Sequence, residues 1–237
     1  MQSFVALARL LTNPKSPQGM FDLLKRHNCV DLSSQMDTKQ DTAILRSGGG
    51  FGNIWMGSMC DGTKVAIKAW RSDALEHCDY KTLKRATREI YYWSKMKHDN
   101  IHQLIGVIIF KGHYLGMVSQ WMEYGNLSEY IRKQPNADRY QLCAQVASGL
   151  AYMHSHNTVH GDLKSLNVLV SADGTAKLSD FDLSMMSEAN LHFSESSNNR
   201  TGSTRWAAPE ILLEELPKRS KQADIYALGM VGTNIPY

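Results

Sequence analysis

Cysteine is scarce in this sequence, which has 4 cysteines in 237 residues. The four lie far apart and none belongs to a C-x-x-C pair, so their spacing favours neither a zinc knuckle nor a disulfide framework. We therefore expect a chain that works in a reducing compartment, the cytoplasm. The four residues are Cys29, Cys60, Cys78 and Cys143.

A long uninterrupted apolar run is also missing. The most apolar stretch, residues 101–118, contains Gln103, Lys111 and His113, whose burial in a bilayer would cost much free energy. This stretch is predicted to form two short strands around the turn KGH and not a membrane span. Near the N-terminus Arg9 interrupts the apolar residues and no basic segment precedes them, so we expect no signal peptide.

Dense clusters of positive charge are absent too. The formal net charge is only +3, which argues against a surface dedicated to nucleic acid. Because 43% of the residues are hydrophobic and 21% are charged, the chain is able to bury a sizeable core, as one large or two small units. This composition excludes a disordered chain.

Residues 1–40 are predicted to form a helical N-terminal extension. Helical spacing occurs in FVALARLL and in GMFDLLKRH, and the breaker-rich stretch TNPKSPQG separates them. From residue 41 the pattern changes to three short strands, in TAILRS, NIWMGSM and TKVAIKAW. The sequence CDG is the predicted turn between the last two.

Longer helical patterns follow at residues 80–98 and 137–156. In the second, four apolar residues spaced three or four apart mark one buried face: Leu142, Val146, Leu150 and Met153. A strand-rich first part and a helix-rich second part indicate two lobes joined near SQWMEYGN. We place the first lobe at about 41–122 and the second at about 123–237.

The glycine-rich stretch SGGGFGN, residues 47–53, lies between two predicted strands. Residues without Cβ allow the backbone to approach a phosphate closely. Taken alone, the stretch is equally well interpreted as a flexible hairpin turn. It is not a P-loop, because no Gly-Lys-Ser/Thr follows and the next element is a strand.

The strand VAIK combines a cation with a small neighbour. Val65 and Ile67 are expected on one face, and Ala66 and Lys68 on the other, where the small alanine leaves room for a planar ligand. A single lysine on a strand is more often a solvated edge group. Glu89, in the following helix, is one of several acids able to pair with it.

The stretch HGDLKSLN carries the most specific signal. Asp162 and Asn167 are followed by a strand, the turn SADG, a second strand and Asp180, which gathers oxygen ligands around one crevice. Such hard oxygen donors suit Mg²⁺, which keeps few protein ligands and adds substrate phosphates. Asp162 is then placed to orient or deprotonate a hydroxyl.

Two other interpretations are disfavoured. The histidines at 154, 156 and 160 have spacings that place the first two on different sides of a helix, so one shared metal ion is awkward. The aromatic residues at 121, 124 and 130 are able to form a stacking platform for single-stranded nucleic acid, but no basic groove accompanies them.

Taken in order, these motifs resemble those of the eukaryotic protein kinase family, from about residue 42 to residue 226. SGGGFGN is similar to the glycine-rich loop, VAIK to the lysine strand, and REI to the helix acid. HGDLKSLN is similar to the catalytic loop, DFD to the metal motif and AAPE to the end of the activation segment, while DIYALG resembles the start of a central helix. The loop DLKSLN and STRWAAPE further resemble the tyrosine-kinase-like group of serine/threonine kinases, particularly fungal members.

The resemblance implies an α+β fold with a small β-rich N-lobe and a mainly helical, incomplete C-lobe. It also implies ATP and Mg²⁺ as cofactors and protein substrates with Ser or Thr acceptors, while the charge distribution predicts no nucleic-acid partner. Lys68, paired with Glu89, would hold the α- and β-phosphates. Asp162 would accept the proton of the acceptor hydroxyl, and Lys164 would contact the γ-phosphate.

The ligand-binding residues implied by the resemblance fall into two sets. The metal ligands would be Asn167 and Asp180. The residues around ATP would include the loop glycines, a small gatekeeper at Ser119, and the linker whose backbone faces adenine. The full set is Ser47, Gly48, Gly49, Gly50, Phe51, Gly52, Ile54, Ala66, Lys68, Ser119, Gln120, Trp121, Met122, Asn126 and Leu169.

Several positions depart from the family pattern. Gly161 replaces an Arg that in many kinases binds an activation-loop phosphate, which predicts loss of that switch and not of the chemistry. Asp182 replaces a Gly and adds a carboxylate near the metal site. The chain also stops where relatives continue with more helices, so the resemblance predicts a truncated large lobe in which Glu210 is a buried acid without its usual partner. A kinase-like module that binds nucleotide or protein without catalysis is the alternative function.

Overall fold

The computed structural model describes residues 17–26, 28–37, 42–48, 53–69, 90, 93–180, 185–186, 204–213 and 219–233. The chain divides into two compact units. The first consists of Met1–Lys95 and Gln103–Trp121, and the second of Met96–His102 and Met122–Tyr237. Of the predicted extension 1–40, the structure describes residues 17–26 and 28–37.

The first unit begins with helix α1 (Pro17–Arg26). Its apolar residues recur at helical spacing and are buried together: Met20, Phe21, Leu23 and Leu24. Proline is suited to the first position of a helix because its missing N–H has no partner to lose there. Lys25 and Arg26 in the last turn lie where the helix dipole favours cations. The helix predicted from GMFDLLKRH is confirmed.

The first unit also contains a five-stranded antiparallel sheet, in the order β1-β2-β3-β5-β4. Its strands are β1 (Ile44–Gly48), β2 (Asn53–Ser58), β3 (Lys64–Ala69), β4 (Leu104–Phe110) and β5 (Tyr114–Gln120). The three strands predicted before residue 70 are confirmed. The two strands predicted around KGH are confirmed as well.

The KGH turn shows why these strands pair as a hairpin. Lys111 and Gly112 both have positive φ, 48° and 76°, and the N–H of His113 donates to the carbonyl of Phe110 at 3.3 Å. Positive φ at both central residues gives this turn a left-handed backbone, and His113 completes a three-residue loop because Phe110 pairs with Tyr114. Gly112 adopts it without the cost that a side chain adds.

The two faces of β3 differ in burial as its sequence predicts. Val65 and Ile67 are 0% and 1% exposed, whereas Ala66 and Lys68 are half-buried on the opposite face. The buried face packs into one apolar cluster, which consists of Leu32, Met36, Val65, Ile67, Ala69, Ile108, Phe110 and Val118. The predicted alternation in VAIK is confirmed.

Two capped helices open the second unit. They are α2 (Leu127–Lys133) and α3 (Arg139–Ser155). The side chains of Asn126 and Asp138 accept hydrogen bonds from backbone N–H groups in the first turns, at 3.0 and 2.9 Å, which satisfies donors that a helix start leaves open. The four residues predicted to face the core on α3 are all buried.

The structure also describes short strands and helices in this unit. Strands β6 (Thr158–Val159), β7 (Val168–Val170), β8 (Ala176–Leu178) and β9 (Met185–Met186) pair antiparallel as β6 with β9 and β7 with β8. Helices α4 (Pro209–Leu213) and α5 (Lys221–Thr233) follow. The predicted turn SADG joins β7 to β8, with Gly174 at φ 81°. The hairpin after HGDLKSLN is thus confirmed.

The expectation about Glu210 is wrong. Glu210 lies at the start of α4 and is exposed, so its carboxylate keeps its hydration and the cost of an unpaired buried charge does not arise. On α5, Ile225 and Tyr226 are 55% and 41% exposed. No helix within the described ranges has both the length and the apolar character needed to cross a membrane.

Candidate functional site

The centre of the second unit's site is Asp162, in the loop between β6 and β7. Its carboxylate accepts a hydrogen bond from the Lys164 ammonium at 2.6 Å and from the Asn167 amide nitrogen at 3.1 Å. The same amide nitrogen donates to the Asp162 backbone carbonyl at 2.8 Å. The structure therefore brings together three residues that the sequence singled out, with a carboxylate oriented by a cation and an amide.

His160 fixes the backbone that precedes this carboxylate. The residue is 0% exposed, and its Nδ1 accepts from the Asp162 N–H at 3.3 Å while its Nε2 lies 3.1 Å from the Ser179 carbonyl. Because Nδ1 accepts, the proton of the neutral ring is on Nε2, which donates to Ser179. The His160 ring thus connects the backbone of Asp162 to Ser179, the residue directly before Asp180.

Asn167 and Asp180 are connected through Ser179. The N–H and the hydroxyl of Ser179 both donate to the Asn167 carbonyl, each at 2.9 Å. Asp180 follows directly with a φ of 62°, in the left-handed region that Asp tolerates better than most residues. Such backbone strain, held in place by neighbouring hydrogen bonds, is typical of functional positions.

The donor chemistry of this pair fits a divalent cation. The Asn167 amide nitrogen is engaged with Asp162, so its amide oxygen is the atom available as a ligand. Asp180 adds a carboxylate and is exposed. Two oxygen donors with open positions for water and phosphate are typical of Mg²⁺ sites. Within the described ranges, three or more His, Cys, Asp or Glu residues gather nowhere as a metal-binding group.

A buried acid on α5 anchors the loop from behind. Asp224 is 2% exposed and accepts hydrogen bonds from the backbone N–H groups of His160 and Gly161, at 2.8 and 2.9 Å. Its carboxylate also lies 2.8 Å from His154 Nε2 on α3. The sequence analysis did not identify this role of Asp224. The one available signal was the presence of an acid within the otherwise apolar helix pattern DIYALG.

Gly161 occupies the position of the replaced Arg with a φ of 80°. This left-handed conformation suits glycine, and an added side chain would be strained there. Its N–H is directed to Asp224. The departure from the family pattern therefore leaves the loop backbone held by hydrogen bonds.

In the first unit, Lys68 and Ala66 lie on the face of β3 opposite the apolar cluster and are half-buried. Lys68 stands between Ile54 of β2 and Met117 of β5 in register. Ala66 is paired with Ser119, which is 3% exposed. Two small side chains thus lie beside a cation, and binding of a planar ring against them stays a prediction.

The glycine-rich stretch is described only at its two ends. Ser47 and Gly48 end β1 and pair with Ile54 and Asn53. The predicted positions Gly49, Gly50, Phe51 and Gly52 lie outside the described residues, as does Glu89. Asp182 also lies outside them.

A cation that the sequence analysis passed over lies at the rim of this face. The register of β1 and β2 shifts between Leu45 and Ser47, which makes Arg46 the extra residue of a bulge. Its guanidinium lies 5.8 Å from the centre of the Trp121 ring, and Nη2 is 3.6 Å from Met56 Sδ. A bulge re-aims a side chain, which residue patterns alone do not reveal.

The remaining predicted contacts divide between the units. Gln120 and Trp121 end the first unit, where the Trp121 N–H donates to the Lys64 carbonyl at 3.4 Å. In the second unit Asn126 forms a β-bridge with Leu169, so these two predicted residues are neighbours. Met122 is buried in that unit, at 6% exposure.

Comparison with known proteins identifies the class to which this fold and site belong. A family model described as protein tyrosine and serine/threonine kinase matches residues 44–236. The chain therefore belongs to the protein kinase family. The family implies ATP as the phosphate donor, typically with Mg²⁺, and proteins as acceptors.

Three curated relatives show how broad this likeness is. The chain is 29% identical to serine/threonine-protein kinase STY46 of Arabidopsis thaliana over 188 residues. This aligned region covers 77% of this chain and 31% of that protein. It is 29% identical to tyrosine-protein kinase SRK3 of Spongilla lacustris, with 79% and 54% covered. It is 31% identical to dual specificity protein kinase shkA of Dictyostelium discoideum, with 82% and 37% covered. The chain spans about a third to a half of the length of these relatives.

Proposed function

We propose that this chain transfers the γ-phosphate of Mg·ATP to Ser or Thr hydroxyls of protein substrates in intracellular signalling. The observation that carries this proposal is the arrangement of Asp162, whose carboxylate is oriented by Lys164 and Asn167 in a loop anchored on Asp224. A carboxylate held in this way is suited to accept the proton of a hydroxyl as it attacks phosphorus.

Four residues of the second unit take part in this mechanism. Asp162 orients the acceptor hydroxyl and takes its proton. Lys164, 2.6 Å from that carboxylate, places positive charge where the transferred phosphoryl group carries negative charge. Asn167 and Asp180 would hold Mg²⁺, which when bound offsets the negative charge of the phosphates.

The first unit contributes the nucleotide contacts. Lys68 would hold the α- and β-phosphates, and Glu89 would orient it. Ala66 and Ser119 would leave space for the adenine ring, while Ser47 and the glycines that follow would cover the phosphates. The half-buried position of Lys68 supports this role, because part of its hydration is already lost before the ligand arrives.

Two features support Ser or Thr as acceptors. Lys164 in DLKSLN and Ser203 in GSTRWAAPE are similar to serine/threonine kinases of the tyrosine-kinase-like group. The position of Lys164 beside Asp162 supports the first of these. The relatives' names include serine/threonine, tyrosine and dual-specificity kinases, so the decisive comparison is between Ser, Thr and Tyr acceptors.

The test is phosphate transfer from Mg·ATP to three peptide pools that differ only in a central Ser, Thr or Tyr. We expect labelling of the Ser and Thr pools, abolished by Asp162→Asn. The matched control is Asp99→Asn, which alters an exposed aspartate of the same unit and should leave transfer unchanged. Transfer that survives Asp162→Asn would remove the proposed role of this carboxylate, and labelling of Tyr alone would overturn the proposed acceptor.

A further inference from the structure

The outer face of the first unit's sheet is covered by residues that precede the family match. Residues 28–37 lie before residue 44, where that match begins. From this segment Leu32 and Met36, which are 2% and 3% exposed, join the apolar cluster of β3, β4 and β5. We call residues 28–37 the strap. Without it, the cluster would lose two of its eight buried members.

The strap is bound to the free edge of β4 by main-chain hydrogen bonds. The N–H of Val107 donates to the Val30 carbonyl at 2.8 Å, and the N–H of Leu32 donates to the Val107 carbonyl at 3.1 Å. Since β4 is the last strand in the sheet order, this edge would otherwise present unpaired groups. The strap thus supplies a short sixth pairing partner.

The other end of the strap is bound near the turn between β2 and β3. The N–H of Asp37 donates to the Ser58 carbonyl at 3.0 Å, and the N–H of Cys60 donates to the Gln35 carbonyl at 2.8 Å. Met36 also forms an antiparallel bridge with Met59. The strap therefore crosses the sheet from one edge to β2 and is fastened at both ends.

The sheet carries a notch that accommodates the strap. A Cβ placed on Gly106 would lie 2.4 Å from the Val30 carbonyl oxygen and 2.7 Å from Leu32 Cγ. Any larger residue would displace the strap backbone. Gly106 belongs to β4, inside the family match. The strap and the sheet are therefore shaped for each other.

A polar contact sets the direction in which the strap leaves α1. The Lys25 ammonium lies 2.8 Å from the Asp31 carboxylate, and the Ser33 N–H donates to the same side chain at 3.0 Å. The hydrogen bond from Lys25 is the main reason that the pKa of Asp31 falls to about 2. Helix α1 and the strap are thus held as one piece.

A single strand, β3, joins the strap's apolar cluster to the face that carries Lys68. Ile67 packs with the strap's Leu32 and Met36, and the next residue, Lys68, faces the opposite side of β3. Adjacent residues of a strand share one backbone and point to opposite faces, so a displacement of the backbone at Ile67 would be transmitted to Lys68. This strand is the route by which occupancy of the outer face would act on the ammonium group.

We propose that the strap is an intramolecular binding partner of the sheet and that its occupancy raises the nucleotide affinity of this chain. This inference rests on the proposed function, since it concerns the same nucleotide site. Coupling between two sites is reciprocal, so bound nucleotide must strengthen strap binding by the same factor. Typical couplings correspond to roughly 5–150-fold in affinity.

The test uses the full chain with a specific protease site inserted between Thr38 and Asp41 and a fluorophore at the N-terminus. After purification the chain is cleaved, and release of the labelled fragment is followed in excess unlabelled peptide 17–37, with and without saturating Mg·ADP. We expect Mg·ADP to slow release by at least about fivefold, since affinity changes are expressed mainly in dissociation rates. Equal rates would overturn the inference.

Two controls separate this inference from the proposed function. Mg·ADP binding to the uncleaved chain is measured first by calorimetry; its absence would overturn both, whereas binding with unchanged release would overturn the inference alone. In cleaved Lys68→Ala chains, Mg·ADP should no longer slow release. Gly106→Ala should speed release and weaken Mg·ADP binding in the uncleaved chain.

Discussion

His154 Nε2 on α3 lies 2.8 Å from the Asp224 carboxylate on α5, although 70 residues separate them in the sequence. The same carboxylate accepts the N–H groups of His160 and Gly161. One buried acid thereby joins two helices to the loop that carries Asp162. The backbone that precedes the proposed base, Asp162, is thus held by a residue more than 60 positions away in the sequence.

Replacement of Asp224 by Ala is expected to destabilise the second unit strongly. Three donors would lose their acceptor, and each buried group left unsatisfied costs about 1–3 kcal/mol. The free energy of unfolding, measured by urea denaturation, should fall by roughly 3 kcal/mol or more. Asp224→Asn, which retains one acceptor oxygen, should lose less.

The control for this experiment is Glu129→Ala, which removes an exposed acid on α2. Its effect should stay below about 1 kcal/mol, the upper end for an exposed acid in the first turn of a helix. If Asp224→Ala changed stability no more than Glu129→Ala, the anchoring role of Asp224 would be refuted.

Acid should destabilise the fold partly through His102. Burial, with a smaller effect of Lys177, lowers the pKa of His102 to about 4 from its usual 6.5. Between these values the unfolded chain binds a proton that the folded chain does not, so this contribution is complete above pH 6.5 and is lost as the pH falls toward 4. The slope is about 1.4 kcal/mol per pH unit.

His102→Gln isolates this contribution, because it removes one titrating group and leaves the others. We expect the free energy of unfolding of the variant, measured by urea denaturation from pH 4.5 to 7, to fall less steeply on acidification than that of the parent chain, by up to about 1.4 kcal/mol per pH unit. Identical slopes in the two chains would show that His102 titrates normally in the fold.

The N-cap of α3 is a second stability determinant. The Asp138 carboxylate accepts from the Gln141 N–H at 2.9 Å, and loss of such a cap costs about 1 kcal/mol. Asp138→Ala should lower the free energy of unfolding by about that amount, while Asp138→Asn, an equally good cap, should stay close to the parent chain. Equal losses in both variants would argue against capping as the cause.

Gly106→Ala tests the notch beneath the strap through stability alone. Overpacking of this kind costs about 1–3 kcal/mol, and here the Val30 carbonyl must move. Gly229→Ala is the matched control, because nothing lies within 4 Å of its added Cβ in α5 and alanine favours a helix by about 1 kcal/mol. Thermal melting should therefore shift down for Gly106→Ala and not for Gly229→Ala.

The parts of the fold that sequence predicts are those fixed by local rules. The alternation in VAIK follows from the two-residue period of a strand, and the turn at KGH follows from the freedom of Gly112 to adopt positive φ. The buried face of α3 follows from its helical spacing. These signals lie within a few neighbouring residues, so they need no knowledge of distant contacts.

The site was predicted as a set of residue types and not as a geometry. Asp162, Lys164 and Asn167 lie within one short loop, so their proximity is local and could be anticipated. The Ser179 hydrogen bonds that connect Asn167 to Asp180 depend on the β7–β8 hairpin returning to the loop. The resemblance to kinases located these positions without supplying that contact.

The missed features are all long-range. Asp224 reaches a loop more than 60 residues away, and its role could not be read from the apolar pattern around it. The need for glycine at position 106 arises from contact with the strap, which the local sequence pattern of β4 does not reveal. The contact of Arg46 with Trp121 accompanies a bulge in β1, and residue patterns do not predict where such a bulge occurs.

The central claim is that Lys68 belongs to a working nucleotide site, and thermal melting of the purified chain with and without Mg·ATP tests it most directly. A ligand that binds only the folded state must raise the melting temperature, by an amount that grows with its concentration. We predict a cooperative melt that shifts upward with Mg·ATP and no longer shifts in Lys68→Ala. A melt that Mg·ATP leaves unchanged, or one that shifts equally in Lys68→Ala, would contradict the account.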